Sequence, residues 1–442
     1  MSAMLKSAIE KNKSSWFLVH RKELIDQTAG TFEKYNIPFG IIAAGVPENP
    51  DALIQICSVQ TLMRRLEKYS KPDLVVWDES HHCGAKSWTD IYKHTEDKYH
   101  IGLTATPVRL DGKGLGRWFD VMVQGPKIPW LIENKYLSDF KVYAPDIPDL
   151  SGVTIQAGDY STAELTQIMM GKALVGNVVH HWLKLARGKL TIGFAPSIAA
   201  SKAYVYAFKA AGVRAEHLDA NTPKDERRKL CLAFARRELD ILFNVDLFGE
   251  GFDLSALAGI DVAIEAAILC RPTQSLGLYK QQVGRALRIK PDHAIILDHA
   301  GNALRHGMPD DEPEWTLKDQ PKKKSTEMSI AVRRCPVCFI THRTSDVCPE
   351  CGHIYEITAR EYKIVHGDLK ELKRIAKDEL KKQKEISNQK KKLEKEAFKK
   401  RHEERKRRIN NTRTLEGLLE LEKEFGYERG WARIKYRSRG SR

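Results

Sequence analysis

Between Trp16 and Leu297 the chain repeatedly sets a run of four or five apolar residues ahead of a longer stretch whose apolar positions fall three and four apart. The runs are Trp16 to Val19, Ile54 to Ser58, Leu74 to Trp77, Tyr99 to Leu103, Thr191 to Ala195, Leu239 to Phe243, Val262 to Ala266 and Ala294 to Leu297. Such runs suit strands buried on both faces. Glu23 to Tyr35, Ala200 to Ala211 and Lys224 to Phe234 carry the helical period between them. Strands alternating with helices predict α/β architecture with parallel sheets covered on both sides. There are enough for two domains, with a break near Pro145 to Gly158.

Charge divides the chain differently. The 442 residues carry a formal net charge of +15, which points to a polyanionic partner. Residues 1 to 320 hold 39 Lys+Arg and 39 Asp+Glu, whereas residues 361 to 442 hold 27 against 15. The excess is therefore C-terminal, and the apolar-rich body is electrically balanced. With 42% hydrophobic residues the body can bury sizeable cores, which excludes a disordered tail protein. No apolar run approaches the roughly 18 residues of a membrane span, and the N-terminus lacks a signal-peptide pattern.

Three strings bear on chemistry. The run Leu74-Val75-Val76-Trp77 ends in Asp78-Glu79-Ser80-His81, placing two carboxylates at the C-terminal edge of a parallel sheet, where ligands bind. There Asp78 suits a hydrated magnesium ion and Glu79 an attacking water. By itself such a pair is more often a solvated strand end. Further on, Ile101-Gly102-Leu103-Thr104-Ala105-Thr106 ends in hydroxyl residues, and Gln281-Gln282-Val283-Gly284-Arg285-Ala286-Leu287-Arg288 sets two arginines three apart, on one face of a presumed helix.

Together, and in this order, these strings resemble the superfamily 2 helicases of the DExH (DEAD/DEAH box) type, in their phage and prophage branch. Phe17 to Leu24 is similar to motif Ia, Ser58 to Leu62 to Ib, Asp78 to His81 to II, and Thr104 to Thr106 to III. Phe194 to Ser197, Asn244 to Asp253 and Gln281 to Arg288 are similar to motifs IV, V and VI. The resemblance implies two RecA-like domains with ATP and Mg²⁺ at their interface and a single nucleic-acid strand crossing both. It gives Asp78 and Glu79 to magnesium and water, couples His81 with Gln281, and makes Thr104 and Thr106 the link to domain movement. Gly251 would let backbone approach a ligand, and Asp253 would face ribose or nucleic acid. Arg285 and Arg288 would reach the γ-phosphate, and Arg21, Gln60 and Thr61 the phosphodiester backbone.

A motor of this kind also uses a Gly-rich loop with Lys and Ser/Thr to hold the β- and γ-phosphates. No G-x-x-x-x-G-K-[ST] occurs in these residues. The resemblance places that loop one helix before motif Ia, so the expectation is a first domain that begins just after it. ATPase would then be weak in this chain alone, with a wrong start, a degenerate motor or a separate polypeptide supplying the loop as the three accounts.

The eight cysteines form two populations. Cys57, Cys83, Cys231 and Cys270 are scattered, while Cys335-Pro336-Val337-Cys338 and Cys348-Pro349-Glu350-Cys351 make two C-P-x-C knuckles. Doubled knuckles read as one structural Zn²⁺ site with four thiolates, in a ribbon that folds on the metal. A nucleic-acid-touching, a protein-docking and a purely structural ribbon all remain open. From Glu361 to about Asn410 the sequence reads as a solvated helix with basic clusters at Lys390 to Lys392 and Arg401 to Arg408. A shorter helix follows, with Leu415, Leu418, Leu419 and Phe425 on one face, and then Tyr427, Trp431 and Tyr436 interleaved with arginines and a lysine.

The expected domain map is a truncated first RecA-like domain at 1–145, a second at 159–305, a linker at 306–332, a zinc ribbon at 333–356 and a basic α-helical tail at 361–442. The expected function is an ATP-dependent helicase or translocase on single- or double-stranded nucleic acid, DNA preferred over RNA, in a bacterial or phage-infected cytoplasm. The alternative is a non-catalytic nucleic-acid-binding adaptor descended from such a motor.

Overall fold

The computed structural model describes residues 1–107, 109, 113–145, 147–156, 158–247, 254–311, 313, 315–319, 332–355, 403, 407–412, 414–425 and 430–437. These fall into two compact units, 1–357 and 358–442.

In the larger unit, helix α1 (Ser2–Glu10) precedes a five-stranded sheet built from β1 (Ser15–Val19), β2 (Gly40–Ile42), β3 (Ile54–Ser58), β4 (Leu74–Asp78) and β5 (Tyr99–Leu103). Their spatial order is β2-β3-β1-β4-β5, and every pairing is parallel. Burial of all five β1 residues explains its unbroken apolar run. Helices α2 (Lys22–Lys34), α3 (Val59–Met63) and α4 (Lys86–His94) cover the sheet. Trp77 of β4 stacks on Trp88 of α4 with ring centroids 5.7 Å apart. Because β1 lies between β3 and β4, the chain leaves its neighbours in opposite directions there. A crevice therefore opens at the carboxyl ends of β1 and β4.

Helix α5 (Ile128–Glu133) leads into an eight-stranded sheet ordered β10-β11-β9-β12-β13-β6-β15-β14. Here β6 is Phe140–Tyr143, and a separate ribbon of β7 (Ile155–Gln156) and β8 (Asp159–Tyr160) follows it. The central strands β9 (Thr191–Phe194), β10 (Ala215–Leu218), β11 (Ile241–Asn244), β12 (Ala266–Leu269) and β13 (Ala294–Asp298) pair in parallel. Helices α6 (Thr162–Met169), α7 (Lys172–Leu185), α8 (Ile198–Ala210), α9 (Lys224–Ala235), α10 (Leu254–Ala258), α11 (Leu276–Ala286) and α12 (Asn302–His306) connect them. A second switch point lies between β9 and β12.

Three expectations are corrected. First, residues 140–143 do not close the first domain, because β6 pairs in parallel with β13. Second, the strand expected at Val262 to Ala266 begins at Ala266: Val262 and Ile264 are buried in the approach, but the ladder registers Ala266 against both Thr191 and Ile295. Third, the cysteine module is not a free appendage. Its strand β15 (Ile340–Arg343) pairs antiparallel with β6 and carries β14 (Val332–Arg334) on its other side, so the module prolongs the second sheet.

In the smaller unit, helix Leu415–Phe425 packs on helix Trp431–Arg437. Leu418 and Leu421 are buried and Leu419 is exposed, so the inward face is rotated from the one expected. The Glu422 carboxylate accepts from the Gly430 and Ala432 amides and caps the second helix. Of the tail expected as a long helix from Glu361, residues 361–402, with the Lys390 to Lys392 cluster, lie outside the described residues, as does Tyr427.

Candidate functional site

A cleft of about 1300 Å³ runs between the two sheets, and its lining includes Glu79, Thr104, Gln281, Arg285 and Arg288. Three strings far apart in sequence thus meet in one cavity.

On the first sheet's side, Asp78 ends β4, and Glu79 follows in the left-handed region at φ 52°. That sharp turn lifts the chain out of the sheet at the carboxyl edge. Burial, the largest influence, raises the Asp78 carboxyl above its ordinary 3.8, while His20 and His81 pull the other way. His81 Nδ1 lies 3.0 Å from Thr104 Oγ1 and 3.3 Å from Glu79 Oε2, tying motif II to motif III. The Thr104 hydroxyl donates to the Thr106 carbonyl and accepts from the Thr106 amide, both at 3.1 Å, so this turn is closed on itself. Buried Thr106 sits against α11: a Cβ on Gly277 would come within 3.1 Å of its hydroxyl oxygen. The last turn of the first sheet and the first turn of α11 are therefore in direct contact.

On the second sheet's side, the arginine pair differs from expectation in one respect. Helix α11 ends at Ala286, so Arg285 lies in its last turn and Arg288 just past it. The backbone is diverted there because the Ser138 amide takes the Leu287 carbonyl at 2.9 Å and Leu137 forms a β-bridge with Arg288. Both guanidinium-bearing residues still line the cleft.

The expected nucleic-acid contacts are placed unevenly. Arg21 occupies the position just before α2 and donates from Nη1 to the Asp246 carbonyl of the other domain at 3.0 Å. Gln60 donates its amide to the His20 carbonyl at 3.0 Å, so it holds the loop that carries Arg21. Thr61 lies on α3, partly buried. Gly251 and Asp253 lie outside the described residues.

The framework before α11 has no motif to announce it. Asp159 of β8 accepts from the Thr273 hydroxyl at 2.9 Å and from the Gln274 amide at 2.7 Å. Asn302 accepts from the Thr273 amide and donates to the Arg271 carbonyl. Lys280 clamps the following linker through the carbonyls of Pro309 and Asp311. The aspartate that ends β13 was a possible signal, because Asp298 repeats the pattern of an apolar strand closed by an acid.

Ser201, His217 and Asp219 also line up, with Ser201 Oγ 2.6 Å from His217 Nδ1 and His217 Nε2 3.3 Å from Asp219 Oδ2. The Ser201 side chain is enclosed in the core between α8 and β10, so this is a structural bridge and no nucleophilic triad.

In the cysteine module the thiol sulfurs of Cys335, Cys338, Cys348 and Cys351 all lie within 4.8 Å of one another. Cys335 to Cys351 is 3.6 Å and Cys338 to Cys348 is 3.7 Å. Tetrahedral Zn–S bonds of about 2.3 Å require sulfur separations of about 3.8 Å, so the set fits such an ion. Among the described residues no helix is long and apolar enough to cross a membrane.

Comparison with known proteins agrees with this geometry. Residues 1–109 match the type III restriction enzyme res subunit family, and residues 175–290 the helicase conserved C-terminal domain. A 51.5 kDa protein of a Lactococcus phage is 36% identical over 385 residues, which span 86% of this chain and 80% of that protein. The putative ATP-dependent helicase IRC3 of Saccharomyces cerevisiae is 32% identical over 310 residues, covering 66% of this chain and 44% of the yeast protein. Among solved structures, the ATP-dependent type ISP restriction-modification enzyme LlaBIII bound to DNA aligns at a TM-score of 0.47 and 16% identity, over 66% of this chain and 25% of that one. Two parallel-sheet domains facing each other across a cleft, matched by these two families, belong to the class of RecA-like helicase domains. The chain belongs to the superfamily 2 helicases of the DExH type, in their phage branch.

Proposed function

We propose that the chain works as an ATP-dependent translocase or helicase on a single nucleic-acid strand, with DNA preferred over RNA. The observation that carries this reading is the shared cleft, in which Glu79 and Thr104 face Gln281, Arg285 and Arg288. In this reading Asp78 holds Mg²⁺, Glu79 polarises the attacking water, and the two arginines neutralise charge developing on the transferred phosphoryl group. His81, Thr104 and Thr106 transmit the nucleotide state to α11 through the Thr106–Gly277 contact. Cys335, Cys338, Cys348 and Cys351 hold one Zn²⁺, and the phage relative suits a bacterial host cytoplasm.

Nucleic-acid-stimulated ATP hydrolysis tests the reading. In a preparation that includes the lysine-bearing phosphate loop, in cis or in trans, Glu79→Gln should reduce turnover to background while nucleotide binding is kept. Unchanged turnover would reject the assignment of Glu79. The alternative reading is a nucleic-acid-binding adaptor descended from such a motor. Oligonucleotide binding that responds to salt and never to nucleotide would select it.

A further inference from the structure

The carboxyl edges of the two sheets meet at a second place, away from the arginines of α11. Arg21 follows β1 at the first switch point, Asp246 follows β11, and Arg271 follows β12 at the second. Arg21 donates to the Asp246 carbonyl, and the Arg271 guanidinium forms an ion pair with the Asp246 carboxylate. One acidic residue is thus held by two arginines, one from each domain. Open parallel sheets bind ligands at this edge, so two cations converging here mark an anion site.

Asp246 fills that site with features of a replaceable occupant. Its side chain is 59% exposed, whereas that of Arg271 is 20% exposed, so the acid lies on the solvent side and the cation behind it. Its backbone is in the left-handed region at φ 52°, a conformation that costs a non-glycine residue about 1 kcal/mol or more. The turn presents carbonyl and carboxylate together, as a phosphodiester presents two oxygens. The neighbouring cross-domain contact is weak as well: Lys224 meets Asp26 of α2 at 3.3 Å with both side chains largely exposed. Exposed pairs of this kind contribute about 1 kcal/mol or less. Behind the site, Asn302 fixes the Arg271 backbone, so Arg271 keeps its place when its partner leaves.

We propose that Arg21 and Arg271 form a phosphodiester-binding pair across the cleft, which Asp246 occupies as an internal phosphate mimic until a nucleic-acid strand displaces it. The inference rests on the reading of the chain as a nucleic-acid-binding protein. It adds Arg271 as a backbone-contacting residue and gives Asp246 an autoinhibitory role. Displacement would also release Arg21 from the second domain and so couple strand entry to cleft movement.

The test is the affinity of the full chain for a fluorescein-labelled oligothymidylate, followed by anisotropy across a salt series. Asp246→Asn removes the competing charge while keeping the turn, and should bind the strand roughly threefold or more tighter than wild type. Arg271→Ala should weaken binding, lower the salt slope by about 0.7, and cancel the gain when combined with Asp246→Asn. Arg271→Gln, which also removes the charge, provides the same comparison if the alanine variant does not fold. Equal or weaker binding by Asp246→Asn, with a wild-type chain that does bind, overturns the latch and leaves nucleic-acid binding standing. No binding by either chain overturns both.

Discussion

Asp78 and Asp298 show how little one residue's local pattern decides. Each ends an apolar strand of a parallel sheet, and burial pushes both carboxyls up. Asp298 is fully enclosed and accepts the Ala300 and Ala303 amides, so it spends its charge capping α12. Asp78 stands at the switch-point crevice, beside the turn that carries Glu79 to the cleft wall. Buried His299 and partly buried His306 have a measurable consequence. Burial drives His299 down from 6.5 to about 3 and His306 to about 4. Both remain neutral in the folded protein, while the unfolded chain takes up their protons near pH 6.5. Their contribution is therefore complete above that pH and is lost as pH falls, down to about 4 for His306 and about 3 for His299, at up to about 1.4 kcal/mol per pH unit for each proton. The melting temperature should drop on acidification from about pH 7 to pH 5, and His306→Gln should reduce that drop. An identical acid profile in the variant would show that His306 is not responsible.

At the scale of elements, the cysteine module and the second sheet are one structure. Its thiols belong partly to the core: Cys335 and Cys348 are buried and pack with residues of the second domain. Strand β15 joins β6, which pairs with β13, so a change at the knuckles propagates into the parallel ladder. Removing the ion with a chelator, or Cys335→Ser, should therefore lower the melting temperature of the second domain. Metal analysis should find one zinc per chain before treatment. A lost ion with an unchanged melting transition would contradict this coupling. The Cys-x-x-Cys spacing made the thiol cluster legible in the sequence, since spacing alone brings two thiols together. The attachment to β6 was not legible: Phe140-Lys141-Val142-Tyr143 is too short an apolar run to stand out, and its partners in β13 and β15 lie some 150 and 200 positions away. The end of α11 was misplaced for a similar reason, because the Ser138 to Leu287 bond that stops it is tertiary.

Across the whole molecule, charge and chemistry are separated along the chain. Residues 1 to 320 balance at 39 and 39, and the basic excess lies in residues 321 to 334 and 361 to 442. A balanced body must grip a polyanion with a few placed cations, whereas the tail offers bulk attraction. Deleting residues 361 to 442 should flatten the dependence of oligonucleotide affinity on salt, by about 0.7 in the log–log slope for each phosphate that the tail neutralises. An unchanged slope would assign the grip to the body alone. The class of fold was determined by the sequence itself, because the alternation of apolar runs with helical periods is a local pattern that only parallel α/β layers satisfy. The residue types of motifs II, III and VI were local as well, since each sits within one strand end or one helix turn. What only the tertiary structure decided is which of these ends face each other. The meeting of Thr106 with Gly277, of Arg21 and Arg271 around Asp246, and of β15 with β6 follows from how strands are ordered within and between sheets. Strand order is set by packing between distant segments, and a local pattern carries no record of it.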